Sequence, residues 1–333
     1  MDQSHRQIVV SVVQAGSVLF DTPRTLEKLA DLAHDARGAG AQLALFPEAF
    51  VGGYPKGRHF GASLGRRTPE GREEFQRYFE SSIPIPGPEI EFLAQVARDN
   101  RLYLISGVIE RSGGTLYCTV VFFGPDGEYL GKHRKLVPTA VERIVWGAGD
   151  GSTLTLVDTP CGKVGAVICW ENYMPLLRTV LYAKGIELYC APTVDDRDTW
   201  ISTMRHIACE GRCFVLSACQ YLSAEMHAEP ATSEPLIRGG SCIVSPFGEL
   251  LAGPAYGSEK ILIAEIELGE IVRGKFDLDV VGHYSRPDIF ELKVDEREKR
   301  LVKPAILDGG RPKSTSCDEP SAELGRRDQV AGA

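Results

Sequence analysis

The sequence predicts an α/β protein of the α-β-β-α sandwich type, a four-layer subunit with mixed sheets, and three observations carry that expectation. Apolar runs of about four to eight residues recur between stretches of helical period, the pattern of strands alternating with helices. Several runs, Val164-Ile168 the clearest, are apolar throughout. Both faces of such strands must be covered, by helices on one side and a second sheet on the other. Finally, Leu102-Ile109 and Leu116-Phe123 are joined through the short turn Ser112-Gly113-Gly114. That is a hairpin connection, so the sheet holding them is not purely parallel.

In chain order, strands are expected at Ile8-Gln14, Leu43-Phe46, Leu102-Ile109, Leu116-Phe123, Val164-Ile168, Leu188-Ala191, Cys213-Ala218, Ser241-Val244 and Ile261-Glu265. Helices are expected at Thr22-Arg37, Glu70-Ser81, Pro88-Asp99, Tyr173-Lys184, Asp198-Glu210 and Leu268-Lys275. Asp21 ahead of Thr22-Pro23 and Gly87 ahead of Pro88 are helix-start signals, with proline in the first turn where its missing N–H costs nothing. No fixed-period repeat is visible. Residues 7–303 read as a single domain, and 304–333, rich in Gly, Pro, Ser and charge, as a flexible tail that cannot bury enough apolar surface to order itself.

Composition narrows the function. Of 333 residues, 43% are hydrophobic and 25% charged, ordinary values for a globular chain able to bury a large core. A formal net charge of −8, with no basic block beyond pairs such as Arg66-Arg67, argues against nucleic acid as a partner. No apolar run approaches the ~18 residues of a membrane span, and the polar start from Met1 to Gln7 lacks the character of a secretory signal. Nine cysteines at irregular spacing do not suggest a disulfide framework, so a reducing cytoplasm is expected. Cys118, Cys190, Cys213, Cys219 and Cys242 lie in apolar runs and read as small buried hydrophobes. Cys209 and Cys213 have no second pair to complete a zinc site, so no metal is expected.

Cys169 differs from these. It ends the run Lys163-Ile168 just before Met174-Pro175-Leu176-Leu177 opens a helix. A side chain there is lifted out of the sheet, where free N–H groups and the helix dipole favour a thiolate. Spacing alone favours the plainer reading, a buried core cysteine. A thiol needs a base or a cation within reach, and two other strand ends offer them. Glu48 closes Leu43-Phe46 after Pro47, and Lys135 ends Gly131-Lys132-His133-Arg134-Lys135 beyond the Pro125-Asp126-Gly127 turn.

Phe46-Pro47-Glu48, His133-Arg134-Lys135-Leu136-Val137-Pro138-Thr139 and Cys169-Trp170-Glu171-Asn172 resemble, in order, the three catalytic blocks of the nitrilase (carbon–nitrogen hydrolase) superfamily. Further segments, among them Gly52-Gly53-Tyr54-Pro55, Glu142-Gly147, Tyr189-Thr193 and Gly282-Asp288, are similar to the true nitrilase branch of plants and bacteria. The resemblance spans Gln7 to Val294. It implies the same α-β-β-α fold, with Cys169 as nucleophile, Glu48 as general base, Lys135 as stabilising cation and Glu142 as a second, orienting glutamate. It implies a small-molecule nitrile as substrate, no cofactor, acid and ammonia as products, and a homodimer formed through the helix after Cys169 that assembles into larger homo-oligomers. Tyr54 and Trp170 are candidate substrate-binding aromatics, with a core role the competing reading.

Three alternatives use the same residues differently. An amidase or carbamoylase would need the same Glu, Lys and Cys. A Cys-His hydrolase would draw its base from His133, His206 or His283, each of which reads first as a satisfied core or turn histidine. A silent scaffold would be expected to have lost one of the three blocks. Aliphatic, arylaceto- and aromatic nitriles all stay open as the substrate class.

Overall fold

The computed structural model describes residues 7–226, 234–300 and 302. The expected tail from 304 onward lies outside the described residues. The chain falls into two compact units, Met1–Lys299 and Arg300–Ala333, and every element named below belongs to the first.

The strands are β1 (Gln7–Gln14), β2 (Leu43–Leu45), β3 (Ile83–Pro84), β4 (Tyr103–Ser112), β5 (Thr115–Phe123), β6 (Tyr129–Arg134), β7 (Leu156–Thr159), β8 (Gly162–Ala166), β9 (Leu188–Cys190), β10 (Phe214–Ser217), β11 (Tyr221–Leu222), β12 (Ile237–Val244), β13 (Leu250–Tyr256) and β14 (Lys260–Glu267). The helices are α1 (Thr22–Gly38), α2 (Pro69–Glu80), α3 (Pro88–Asn100), α4 (Pro175–Ala183), α5 (Asp198–Gly211) and α6 (Gly269–Asp277). One sheet runs β14-β1-β2-β4-β5-β6 with β3 on the end of β4; the other runs β11-β12-β10-β9-β8-β7 with β13 against β12. Both are mixed, as the hairpin predicts. Each has a parallel trio, β1-β2-β4 or β8-β9-β10, extended by antiparallel neighbours. The two trios are alike in topology, a likeness that no sequence period discloses.

Strand alternation sorts the apolar residues into three cores. Val10, Val12, Leu43, Leu45, Ile105 and Phe122 of one sheet meet Val164, Ala166, Leu188, Phe214 and Ile243 of the other in a central layer. Their neighbours Val13, Ala44, Leu104 and Val121 point the opposite way, onto Leu29 and Ala33 of α1 and Leu93 and Ala97 of α3. Tyr189, Val215 and Val244 face Leu177 and Leu181 of α4 and Met204 and Ile207 of α5. This period-two partition is the physical content of the α-β-β-α sandwich.

Each expected helix forms within a few residues of its expected bounds. Asp21 accepts the Arg24 N–H at the start of α1, and Thr68 caps α2 with Pro69 in the first turn. The helix expected over Tyr173-Lys184 begins later, at Pro175; Cys169–Tyr173 is a 3-10 turn that carries the chain from β8 into α4. The strands β3, β6, β7, β11 and β13 are absent from the expected set. Tyr129–Arg134 and Leu250–Tyr256 are polar or exposed over most of their length, so their pairing leaves little apolar signal.

Candidate active site

In both sheets the polar residues of interest follow the carboxyl ends of strands, the edge where open α/β sheets bind ligands. Glu48, Cys169, Thr193 and Gln220 each sit three residues beyond their strand, β2, β8, β9 and β10 in turn, and Lys135 directly follows β6. One sheet thus supplies Glu48 and Lys135, the other Cys169, Thr193 and Gln220.

Close backbone packing sets Glu48 in place. Gly107 of β4 donates its N–H to Pro47 O at 3.2 Å. A Cβ on Gly107 would fall 2.2 Å from that oxygen and 2.7 Å from Glu48 Cα, so only glycine lets the turn lie this close. From the opposite sheet, Gln220 Nε2 donates to the Glu48 carbonyl at 2.7 Å. Lys135 is held by its own N–H to Cys118 O and by its carbonyl, which accepts the Gly149 N–H, both at 2.8 Å.

The Lys135 ammonium donates to Glu48 Oε1 at 2.7 Å and to Glu142 Oε2 at 2.8 Å, entirely out of solvent. Glu142 closes the first turn of a 3-10 segment, Ala140–Ile144, where its Oε2 also accepts the Thr139 N–H at 2.6 Å. Its Oε1 accepts the Tyr54 hydroxyl at 2.9 Å. Tyr54 is therefore committed to Glu142, with its ring edge-on to Trp146. Burial pushes the Glu48 carboxyl up to about 7, with Lys135 opposing the rise and Glu142 adding to it. Burial alone would lower the lysine, but Glu48 and the other groups facing it hold it charged, well above its ordinary value.

Cys169 has φ +50°, in the left-handed region costly for a residue with a Cβ, and its N–H is taken by Pro192 O at 2.9 Å. Its thiol accepts from Thr193 Oγ1 at 3.2 Å and lies close enough to Glu48 to favour that carboxylate's charged form. The expected thiolate is not the resting state. Burial pushes the thiol above its ordinary value, the Glu48 charge adds to the rise, and Lys135 and Thr193 only partly offset it. The helix dipole gives the sulfur little help because α4 starts at Pro175, six residues further along the chain, and Cys169 is buried.

A second buried network ties the strand bearing Lys135 to the turn bearing Cys169. Glu171 accepts the Leu136 N–H at 2.6 Å and the Ile168 N–H at 2.9 Å, and its Oε2 meets His133 Nε2 at 3.1 Å. The other ring nitrogen of His133 lies 2.9 Å from Thr153 O, an acceptor. Both nitrogens then donate, which is the imidazolium form. Burial opposes that charge, but Glu171 prevails and the pKa is raised. None of the three histidines a Cys-His scheme would use is paired with the thiol: His206 pairs with Glu210 at 3.6 Å, and His283 stacks on Tyr284.

The thiol opens onto a cleft lined by Tyr54, Lys56, Glu142, Trp170, Val194 and Arg197 among others. Trp170, 43% exposed, stands at its mouth, donating Nε1–H to Asp195 Oδ2 at 2.9 Å beneath the Arg197 guanidinium. All six residues singled out in the sequence thus meet here. Sequence reasoning gave no role to Thr193 or Gln220 and placed Cys118 in the core. The signal that finds the first two is their shared offset from the strand ends.

A buried thiol, carboxylate and ammonium meeting between two sheets define a cysteine hydrolase of the α-β-β-α type, and the chain belongs to the carbon–nitrogen hydrolase family, whose model matches residues 9–276. Its sequence is similar to an aliphatic nitrilase of Sinorhizobium fredii, 58% identical over 88% of this chain and 97% of the relative. A bifunctional nitrilase/nitrile hydratase of Lupinus angustifolius is 54% identical over 88% and 87% of the two chains. Among solved structures, a nitrilase-superfamily member of Saccharomyces cerevisiae shares the fold at a TM-score of 0.67 with 21% identity, over 85% of this chain and 98% of that one.

Proposed function

We propose that this protein is a nitrilase, hydrolysing a small organic nitrile to the carboxylic acid and ammonia. The observation that carries the reading is Lys135 bridging Glu48 and Glu142 beside Cys169, in a chain 58% identical to a nitrilase.

Because the thiol is neutral at rest, attack and deprotonation are coupled. Cys169 Sγ bonds to the nitrile carbon as its proton passes to Glu48, and one C–N π pair moves to nitrogen. Lys135 and the Trp170 N–H stabilise that charge, and the proton on Glu48 moves to nitrogen to give the thioimidate. Glu48 then takes a proton from water as the oxygen adds to carbon. Protonation of the amine and cleavage of C–N release ammonia and leave a thioester, which a second water cleaves to the acid, restoring the thiol. Cleavage of C–S instead would release the amide, the partition that the Lupinus relative's description as a bifunctional nitrilase/nitrile hydratase suggests. No step needs a metal or cofactor.

We also infer a homodimer assembling into larger homo-oligomers, on the strength of Leu176, Tyr173 and Trp170, which leave apolar surface exposed around the start of α4. A cytoplasmic setting accords with the absence of a disulfide among the eight described cysteines, and among the described residues no helix is long and apolar enough to cross a membrane. Residues 7–303 serve as one catalytic domain. Ammonia release from matched panels of nitriles and amides tests the activity. Turnover of nitriles supports it, and turnover of amides alone would overturn it in favour of an amidase.

A further inference from the structure

Cys118 lies in the inward row Leu116, Cys118, Val120, Phe122 of β5, where an apolar side chain would serve packing equally well. Its sulfur lies 3.6 Å from Glu48 Oε1, a hydrogen-bond distance for sulfur, and both residues are buried. Burial and the Glu48 charge push this thiol well above its ordinary value, so it keeps its proton and is the donor. The same oxygen accepts from Lys135. The other, Oε2, is buried with no hydrogen-bond partner among the described residues. An unpartnered carboxylate oxygen in such a place is costly unless a proton visits it.

We propose that Cys118 is a positioning residue for the reaction: its S–H and the Lys135 ammonium anchor one oxygen of Glu48, which turns the other toward the proton of Cys169 and then of water. The backbone supports this division, because Lys135 N–H donates to Cys118 O and the two anchors move as one unit. The remaining titratable groups around Glu48 are Glu142, Cys169, Tyr54, Tyr78 of α2 and Cys219 beyond β10. Lys135 is the cation among those facing groups, and Cys118 adds a neutral donor to the same oxygen. Removing that donor weakens the anion's hold and moves its titration to higher pH.

The proposal rests on Glu48 acting as the base, and its test separates the two. Cys118→Ala and Cys118→Ser differ little in size, but only serine keeps a donor. With kcat/KM followed from about pH 5 to 9, the alanine variant should shift its ascending limb upward by about half to one pH unit, with kcat reduced about tenfold and KM little changed. The serine variant should keep the limb at or below the wild-type position. Equal shifts in both, or none in either, would overturn the proposal. If the alanine variant does not fold, Cys118→Val fills the space without a donor and carries the same expectation. A limb retained in Glu48→Gln would fault the base itself; a limb lost there but unmoved by the Cys118 variants would fault Cys118 alone.

Discussion

Glu48 has no solvent contact, and at neutral pH it is poised between its two forms because burial and Lys135 act against each other. In its proposed role as base it must be ionised to accept the Cys169 proton. Since its pKa lies near 7, kcat/KM should climb as pH rises through neutrality and fall away below it, which a pH profile on any turned-over nitrile will show. Glu48→Gln should lower kcat/KM by about 10²–10⁴-fold with the thermal midpoint little changed. Thr193→Val keeps the shape of the side chain but removes the hydroxyl that donates to Cys169 Sγ. The expected loss is about ten- to hundredfold in kcat/KM, because sulfur carries negative charge during attack. At this scale ordered blocks and chemical need pointed to Glu48, Lys135, Glu142 and Cys169, residues that the structure brings together. Thr193 and Gln220 were illegible because a hydroxyl or amide after a strand is common; only the pairing of β8, β9 and β10 brings them to one edge. Cys118 was hidden by its apolar neighbours.

Elements hold the site through contacts that tolerate little change. In Gly107→Ala the new Cβ would collide with Pro47 O and Glu48 Cα, pushing Glu48 away from the Cys169 thiol. The expected outcome is about a hundredfold loss of kcat, since a misplacement of about 1 Å has that effect, with about 1–3 kcal/mol of destabilisation from overpacking. His133→Ala leaves Glu171 buried without its cation and should cost about 3–5 kcal/mol in a urea titration. The sign with pH follows from the raised His133 pKa. The pair's contribution is complete below the unfolded value of about 6.5 and disappears as pH rises through the higher folded value, so the gap between wild type and variant should narrow in alkali. The six helices and the central strands were legible because their apolar periods are strong. Strands such as β6 and β13 were not, because their pairing rests on backbone hydrogen bonds along polar or exposed sequence.

Across the whole molecule, the alternation of single strands becomes three cores, and the central one fuses the two sheets. That much was readable in Val164-Ile168. The likeness of the two parallel trios was not, because it lies in connectivity rather than in residues. Leu176, 66% exposed near the start of α4, is the point at which the proposed assembly can be tested. Leu176→Arg should reduce the mass measured by light scattering while leaving the far-ultraviolet spectrum unchanged; an unaltered mass would place the interface elsewhere. The strand order also has a consequence for how the protein is made. β14, almost the last element of the unit, returns to the first sheet and pairs with β1 along its whole length, from Gln7 opposite Glu267 to Gln14 opposite Lys260. A chain emerging from the ribosome therefore presents Glu48 and Lys135 long before Cys169, and the sheet carrying them waits for its final edge until the second half has been synthesised. Cys169 meets Glu48, its proposed base, only in a finished molecule, so two separately expressed halves divided between β6 and β7 should each be inert and regain turnover only on mixing.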